Sequence, residues 1–157
     1  MDNLLTQLSS DLAARTAALQ AAAAALRLAR GRHVSATVWQ PDLVVTSEQA
    51  LPERDAFDLV LPGGVETKAK LAGRDAGTNV AVLRLAQPAS PPALAAGEAQ
   101  AGALALALGA DGAGGTSVRL GLVNAAGPQW HSLAGGLIDR RIAFNEQGVF
   151  RHYPALD

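Results

Sequence analysis

The chain has no cysteine, which excludes a disulfide framework, a zinc knuckle and a thiol nucleophile. Aromatics are scarce, with two Trp, one Tyr and three Phe in 157 residues. An excess of one charge is lacking too: 13 Lys and Arg stand against 14 Asp and Glu, with no basic run. That balance argues against a binder that tracks nucleic-acid phosphates. No apolar run reaches ~18 residues, so no membrane-spanning helix is expected. The apolar share is 49%, too high for a disordered chain. What is abundant is alanine, at 34 residues more than a fifth of the sequence. Small side chains fill little volume, so Leu and Val must carry most of the burial. The length permits one globular domain, or two small subdomains sharing a core.

From Asp2 to about Ala25 there is neither Pro nor Gly, and Ala, Leu, Gln and Arg dominate. This composition predicts a helix, capped by Asp2 or Asn3 and stopped at Arg27, Arg30 and Gly31. Leu26–Arg30 fits either the end of that helix or a first strand. Leu5, Leu12, Leu19 and Leu26 recur every seven residues with Leu8 beside them. Such a seam serves a coiled coil or packing against the helix's own domain. A coiled coil fills both seam positions with large residues, and here only one is filled, so own-domain packing is the expectation. The opening Met1-Asp2-Asn3, with Asp11 and Arg15 early, lacks the positive start of a secretory signal. Cytoplasmic residence is the expectation, with the periplasm left open.

After the helix the texture changes to strands. His33–Trp39 and Asp42–Ser47 are rich in β-branched residues and separated by Gln40-Pro41, the signature of a hairpin. Phe57–Leu61 precedes Pro62-Gly63-Gly64, a turn signal, and Val65–Ala72 follows with alternation. Asn79–Leu85 is a near-continuous apolar run fit for a buried strand. Gln87–Ala99, rich in Pro and Ala, is a connector. Ala103–Leu108, Thr116–Asn124 and Gly136–Phe144 are three further strands, with Gly148–His152 as a fourth candidate and Gly109–Gly115 as a hairpin loop. The predicted organisation is an N-terminal helix (1–30), a first β-barrel (31–86), a connector (87–100) and a partial second β-barrel (101–157).

The order of these pieces carries a resemblance. Ser35-Ala-Thr-Val-Trp-Gln-Pro-Asp-Leu-Val-Val-Thr46 resembles the opening of trypsin-like serine peptidases of the bacterial HtrA/Deg type, where Ser-Gly and an apolar run lead to Val-Thr. Leu59–Gly64 falls where that family has an apolar strand and Asp-Gly. Asp75-Ala-Gly-Thr78-Asn79-Val-Ala-Val-Leu83 is similar to the family block Asp-x-x-Thr-Asp-Leu-Ala-Val-Leu, the most specific match. Gly121-Leu-Val-Asn-Ala-Ala-Gly127 is similar, more loosely, to a Gly-Ile-Val-Ser segment of the second barrel. The resemblance covers roughly residues 33–144 and implies an all-β, trypsin-like double β-barrel with an N-terminal α-helix and an incomplete second barrel.

Three departures bear on activity. The family's catalytic His follows the Thr of Val-Thr by three residues, and here that position is Gln49. A carboxamide has no useful basicity near neutral pH. Asn79 stands where the family has its orienting Asp, so the charge that would hold an imidazolium is lacking. The loop Gly-x-Ser-Gly-Gly, expected after Arg141-Ile-Ala-Phe-Asn145, is not found in Glu146–Asp157. Other groups do not replace these. Ser47 stands two residues before Gln49 and Glu48 adjoins it, but neighbours on a strand point to opposite faces. His33, His131 and His152 lie far apart without ligand spacing. His131-Ser132 before Gly135-Gly136 has the wrong order for a nucleophile loop. Gly112-Ala-Gly-Gly-Thr-Ser117 has no Lys, so it is not a phosphate loop, and Asp111 alone makes no calcium loop.

The expected function is therefore that of a catalytically inactive trypsin-like peptidase homologue, a protein-binding or scaffold subunit. The alternative is one part of a serine hydrolase whose nucleophile and missing strands come from a second chain. No catalytic residue, cofactor or metal is assigned. A protein partner or self-association is expected, since a half-built barrel leaves an open edge. Candidate contacts are Leu5, Leu12 and Leu19 on the helix and Trp130, whose Gly127-Pro-Gln-Trp-His context is loop-like. Most of the other aromatics, Trp39, Phe57, Phe144, Phe150 and Tyr153, are expected to anchor the core, and Asp139-Arg140-Arg141 to form a solvated or paired face.

Overall fold

The computed structural model describes residues 3–146 of the chain. A helix, α1 (Leu4–Leu19), comes first. Asn3 caps it: its side-chain oxygen accepts a hydrogen bond from the Leu5 N–H at 3.2 Å, and its carbonyl accepts from Thr6. Of the two predicted caps, Asp2 lies outside the described residues. The helix is shorter than the sequence predicts. It stops at Leu19, passes through one 3₁₀ turn at Gln20–Ala22, and becomes strand β1 over Ala23–Arg27. The expectation of helix to about Ala25, within a helical unit 1–30, is corrected accordingly. Alanine favours a helix only when nothing else competes. Here Ala24, Ala25 and Leu26 are fully buried, and small side chains let β1 be covered on both faces.

Strands β2 (His33–Gln40), β3 (Leu43–Ser47), β4 (Ala56–Val60), β5 (Glu66–Asp75) and β6 (Val80–Leu85) follow. With β1 they close a six-stranded antiparallel barrel in the order β1-β2-β3-β6-β5-β4. Alternate residues point inward. Leu26, Val38, Val44, Leu59 and Leu83 are its largest fully buried side chains, joined in the core by Phe57, Ala69 and Ala81. Ala25 faces the other way and packs with Val60 and Ala110. The buried Thr46 hydroxyl donates to the Ser35 carbonyl at 2.9 Å, which meets its polar requirement.

Residues 86–103, which include the expected connector, form no helix or strand. Ala89 nevertheless donates to the Pro41 carbonyl and packs against the barrel core. The second half is a three-stranded sheet in the order β11-β8-β7, made of β7 (Leu104–Ala110), β8 (Thr116–Gly127) and β11 (Arg141–Glu146). A short hairpin of β9 (Trp130–His131) and β10 (Leu137–Ile138) interrupts it. The predicted strand Gly136–Phe144 is thus two strands, broken at Asp139-Arg140. Among the described residues the second half stays open, an incomplete barrel. The candidate strand Gly148–His152, with Phe150 and Tyr153, lies outside them. Of the aromatics expected mostly in the core, Phe57 is buried and Trp39 is 59% exposed near the end of β2. Among the described residues no helix is long and apolar enough to cross a membrane.

Close backbone approaches fasten the halves together. The Gly63 N–H donates to the Gly114 carbonyl at 2.9 Å, and a Cβ on Gly114 would overlap the Gly64 backbone. The β9–β10 loop meets the β5–β6 turn in the same way, because a Cβ on Gly136 would overlap Gly77. Between them, the Ala110 N–H donates to Ser35 Oγ at 3.0 Å, and its carbonyl lies 3.2 Å from His33 Nε2. Glycine is required where two backbones must touch.

Candidate functional site

Strand β3 ends at Ser47, and the chain turns through one 3₁₀ turn, Glu48–Ala50, that carries Gln49. Asn79 stands opposite, in the turn between β5 and β6, with φ of 56°. Asparagine tolerates that left-handed backbone better than most residues. Its side-chain oxygen accepts two hydrogen bonds, from Ser47 Oγ at 3.0 Å and from the Gln49 backbone N–H at 2.9 Å. Its carbonyl accepts a third, from the Glu48 N–H at 3.2 Å. Gln49 and Asn79, singled out from the sequence, are therefore neighbours in space. They meet through the Gln49 backbone N–H and the Asn79 side chain, and not through the Gln49 carboxamide. The Gln49 carboxamide is exposed and takes no partner among the described residues.

A cation holds this turn from behind. Arg74 on β5 donates to the Glu48 and Leu51 carbonyls and pairs with the Glu48 carboxylate at 2.8 Å and with Glu53 at 3.0 Å. Glu48 is thereby committed as a counter-ion and is not presented as a base. Arg74 Nε is buried without a partner. Sequence reasoning did not single out Arg74, and no motif marks a lone arginine on a strand.

The adjoining turn is shaped by Asp75. The Thr78 hydroxyl at 2.6 Å, and then the Gly77 N–H at 2.9 Å, hold its carboxyl below the ordinary value of 3.8. Ser132 completes this corner: its hydroxyl donates to the Gly77 carbonyl and accepts from the Gly136 N–H at 3.1 Å. The His131–Gly136 stretch is thus a docking turn. A second such turn lies at the tip of β7–β8, where the Ala113 and Gly115 N–H groups lower the Asp111 carboxyl, with a smaller contribution from His33.

His33 lies at the joint between the halves, and His131 is exposed on β9. His152 lies outside the described residues. Among the described residues no group of three His, Cys, Asp or Glu side chains gathers as a metal site. Nothing in the Gln49–Asn79 arrangement takes a proton near neutral pH, because both side chains are amides.

The other sequence candidates lie elsewhere. Leu5 and Leu19 of α1 are 69% and 38% exposed, and Leu12 is half-buried. Trp130 is 42% exposed, but on β9 and not in a loop. Leu12 and Leu19 line an open groove of about 770 Å³ between α1 and β7, which Trp130 does not reach.

Comparison with known proteins bears on this geometry. A family model described as a trypsin-like peptidase domain matches residues 34–155. The crystal structure of Deg5 is similar with a TM-score of 0.70 and 14% identity, over 89% of this chain and 77% of that one. Two structures of Rv3671c from M. tuberculosis H37Rv, both inactive forms, are similar at TM-scores of 0.63 and 0.62 with 19% identity. Each alignment covers 82% of this chain, and it spans 63% and 65% of the Rv3671c chains. At these identities the likeness establishes the fold. No curated protein matches the sequence.

Proposed function

This chain belongs to the trypsin-like peptidase family, and we propose that it is a member without catalytic activity that serves as a protein-binding or scaffold subunit. One observation carries the reading: the Gln49 backbone N–H donates to Asn79 Oδ1, at the two positions where the family motif has a His and an Asp. In the active arrangement an imidazole removes the proton from the nucleophile while a carboxylate fixes its tautomer and stabilises its charge. Two amides do neither. Neutralising the carboxylate alone costs about 10⁴-fold in rate, even with the base present. The Ser47 hydroxyl is spent on Asn79, and the Glu48 carboxylate on Arg74.

The binding role is supported by the open second half. Among the described residues β11 pairs only with β8, and an unpaired edge is a template for another strand. The same edge favours the rival reading, in which a second chain supplies strands and nucleophile. That chain would also have to supply the base. Ester and casein hydrolysis by the purified protein, compared with its Gln49→Ala variant, tests the assignment. The expected result is no rate above buffer for either protein. A rate that the variant abolishes would overturn the reading. A rate that appears only when a second polypeptide is added would favour the rival.

A further inference from the structure

Helix α1 buries none of its 16 residues. Leu4, Leu5, Leu8 and Leu19 are 77%, 69%, 37% and 38% exposed. In proteins most helical stability comes from tertiary packing of one apolar face. Leu8, Asp11, Leu12, Arg15, Ala18 and Leu19, at spacings that form one helical face, line its groove against β7. Across the groove stand Leu104, Leu106 and Leu108 of β7, alternate residues on one face of the sheet. Leu104 is 52% exposed, and Leu120, the register partner of Leu106 on β8, is 41% exposed.

We propose that the groove is filled by a second copy of this chain, whose α1 lies antiparallel to the first. The inference rests on the protein-binding reading above and names its partner. The helix face is complementary to itself under a two-fold axis. Asp11 and Arg15, one turn apart, form no ion pair with each other or with any other described residue. An antiparallel pairing centred between them sets Asp11 opposite the partner's Arg15, and the reverse, so each charge gains a counter-ion. It also sets Leu8 against the partner's Ala18, a long side chain against a short one. A parallel pairing would oppose Asp11 to the partner's Asp11 and is disfavoured. A closed two-fold contact of this kind uses the same patch twice. The leucines of β7 supply the apolar wall on which the incoming helix rests.

The test is a charge reversal read by sedimentation equilibrium on the full chain, with circular dichroism as the check on folding. The wild type is expected to be a dimer in the micromolar range. Arg15→Asp places four carboxylates around the axis and should weaken dimerisation at least about tenfold, since opposed like charges are costly across an interface. The double variant D11R/R15D exchanges the charges and should restore the dimer. A wild-type monomer, an unchanged dissociation constant for Arg15→Asp, or a folded double variant that stays monomeric would each overturn the proposal. Hydrolysis assayed on the same samples keeps the two readings apart. Activity in a dimer would sink the inactive-homologue reading alone, and a monomer without activity would sink the dimer alone.

Discussion

Asn79 ties the Glu48–Ala50 turn to the turn between β5 and β6. One carboxamide oxygen receives the Ser47 hydroxyl and the Gln49 N–H, at a backbone angle that most side chains resist. Asn79→Ala leaves both donors without their acceptor and keeps the unfavourable φ. We expect it to destabilise the protein by about 1–3 kcal/mol, measured by urea unfolding. Asn79→Asp keeps an acceptor for both donors and should lose far less; equal losses would contradict this account. That Gln49 and Asn79 belong together was legible in the sequence because Val45-Thr46 and the Asp75–Leu83 block fix their positions by spacing. Their mode of contact was not, since the bond runs through the Gln49 backbone. Arg74 was not legible either, because its three partners lie 21 to 26 residues away.

At the scale of elements, β1 is the instructive strand. Its alanines belong to a run with high helix propensity, and only the burial of both faces, which no local pattern announces, makes it a strand. The same smallness makes it intolerant. Ala25 sits against Val60 and Ala110 with no exposed surface. Ala25→Leu should overpack that contact and cost about 1–3 kcal/mol, read as a lowered thermal midpoint. The turns that dock the second half have their own signature. Asp75 and Asp111 are held below the ordinary value of 3.8 by hydroxyl and backbone N–H donors. A carboxyl depressed in the folded state contributes stability above its unfolded value, and that stability is lost as pH falls through the folded value. Both turns should therefore stay intact above about pH 4 and loosen only in stronger acid. Carboxyl titration by NMR should give midpoints under 3.8 for both residues; ordinary values would show that these hydrogen bonds do not form in solution.

At the scale of the whole molecule, burial is unevenly shared. Apart from Ala110 and Val123, every buried apolar residue among those described lies between Ala22 and Leu85. The sequence made the two-part, all-β organisation legible through its alternating strands and Pro-rich connector. It left open how the halves are fastened, since a glycine pair such as Gly77 and Gly136 signals nothing until the fold brings it together. Regions with few buried contacts open most readily. Amide hydrogen exchange should thus be slowest in β1–β6 and faster in β7, β8 and α1. Uniform protection would mean that something covers the second half, and the dimer proposed above would slow α1 and β7 selectively.

All three scales bear on the proposed reading, that of a trypsin-like frame in which the Gln49 N–H to Asn79 hydrogen bond takes the place of the family's acid–base pair. Exposure to a fluorophosphonate probe, read by intact mass, addresses this most directly, because the probe labels a serine only when a working base activates it. The account expects the mass of the purified chain to remain unchanged. A single covalent adduct on this chain would contradict it.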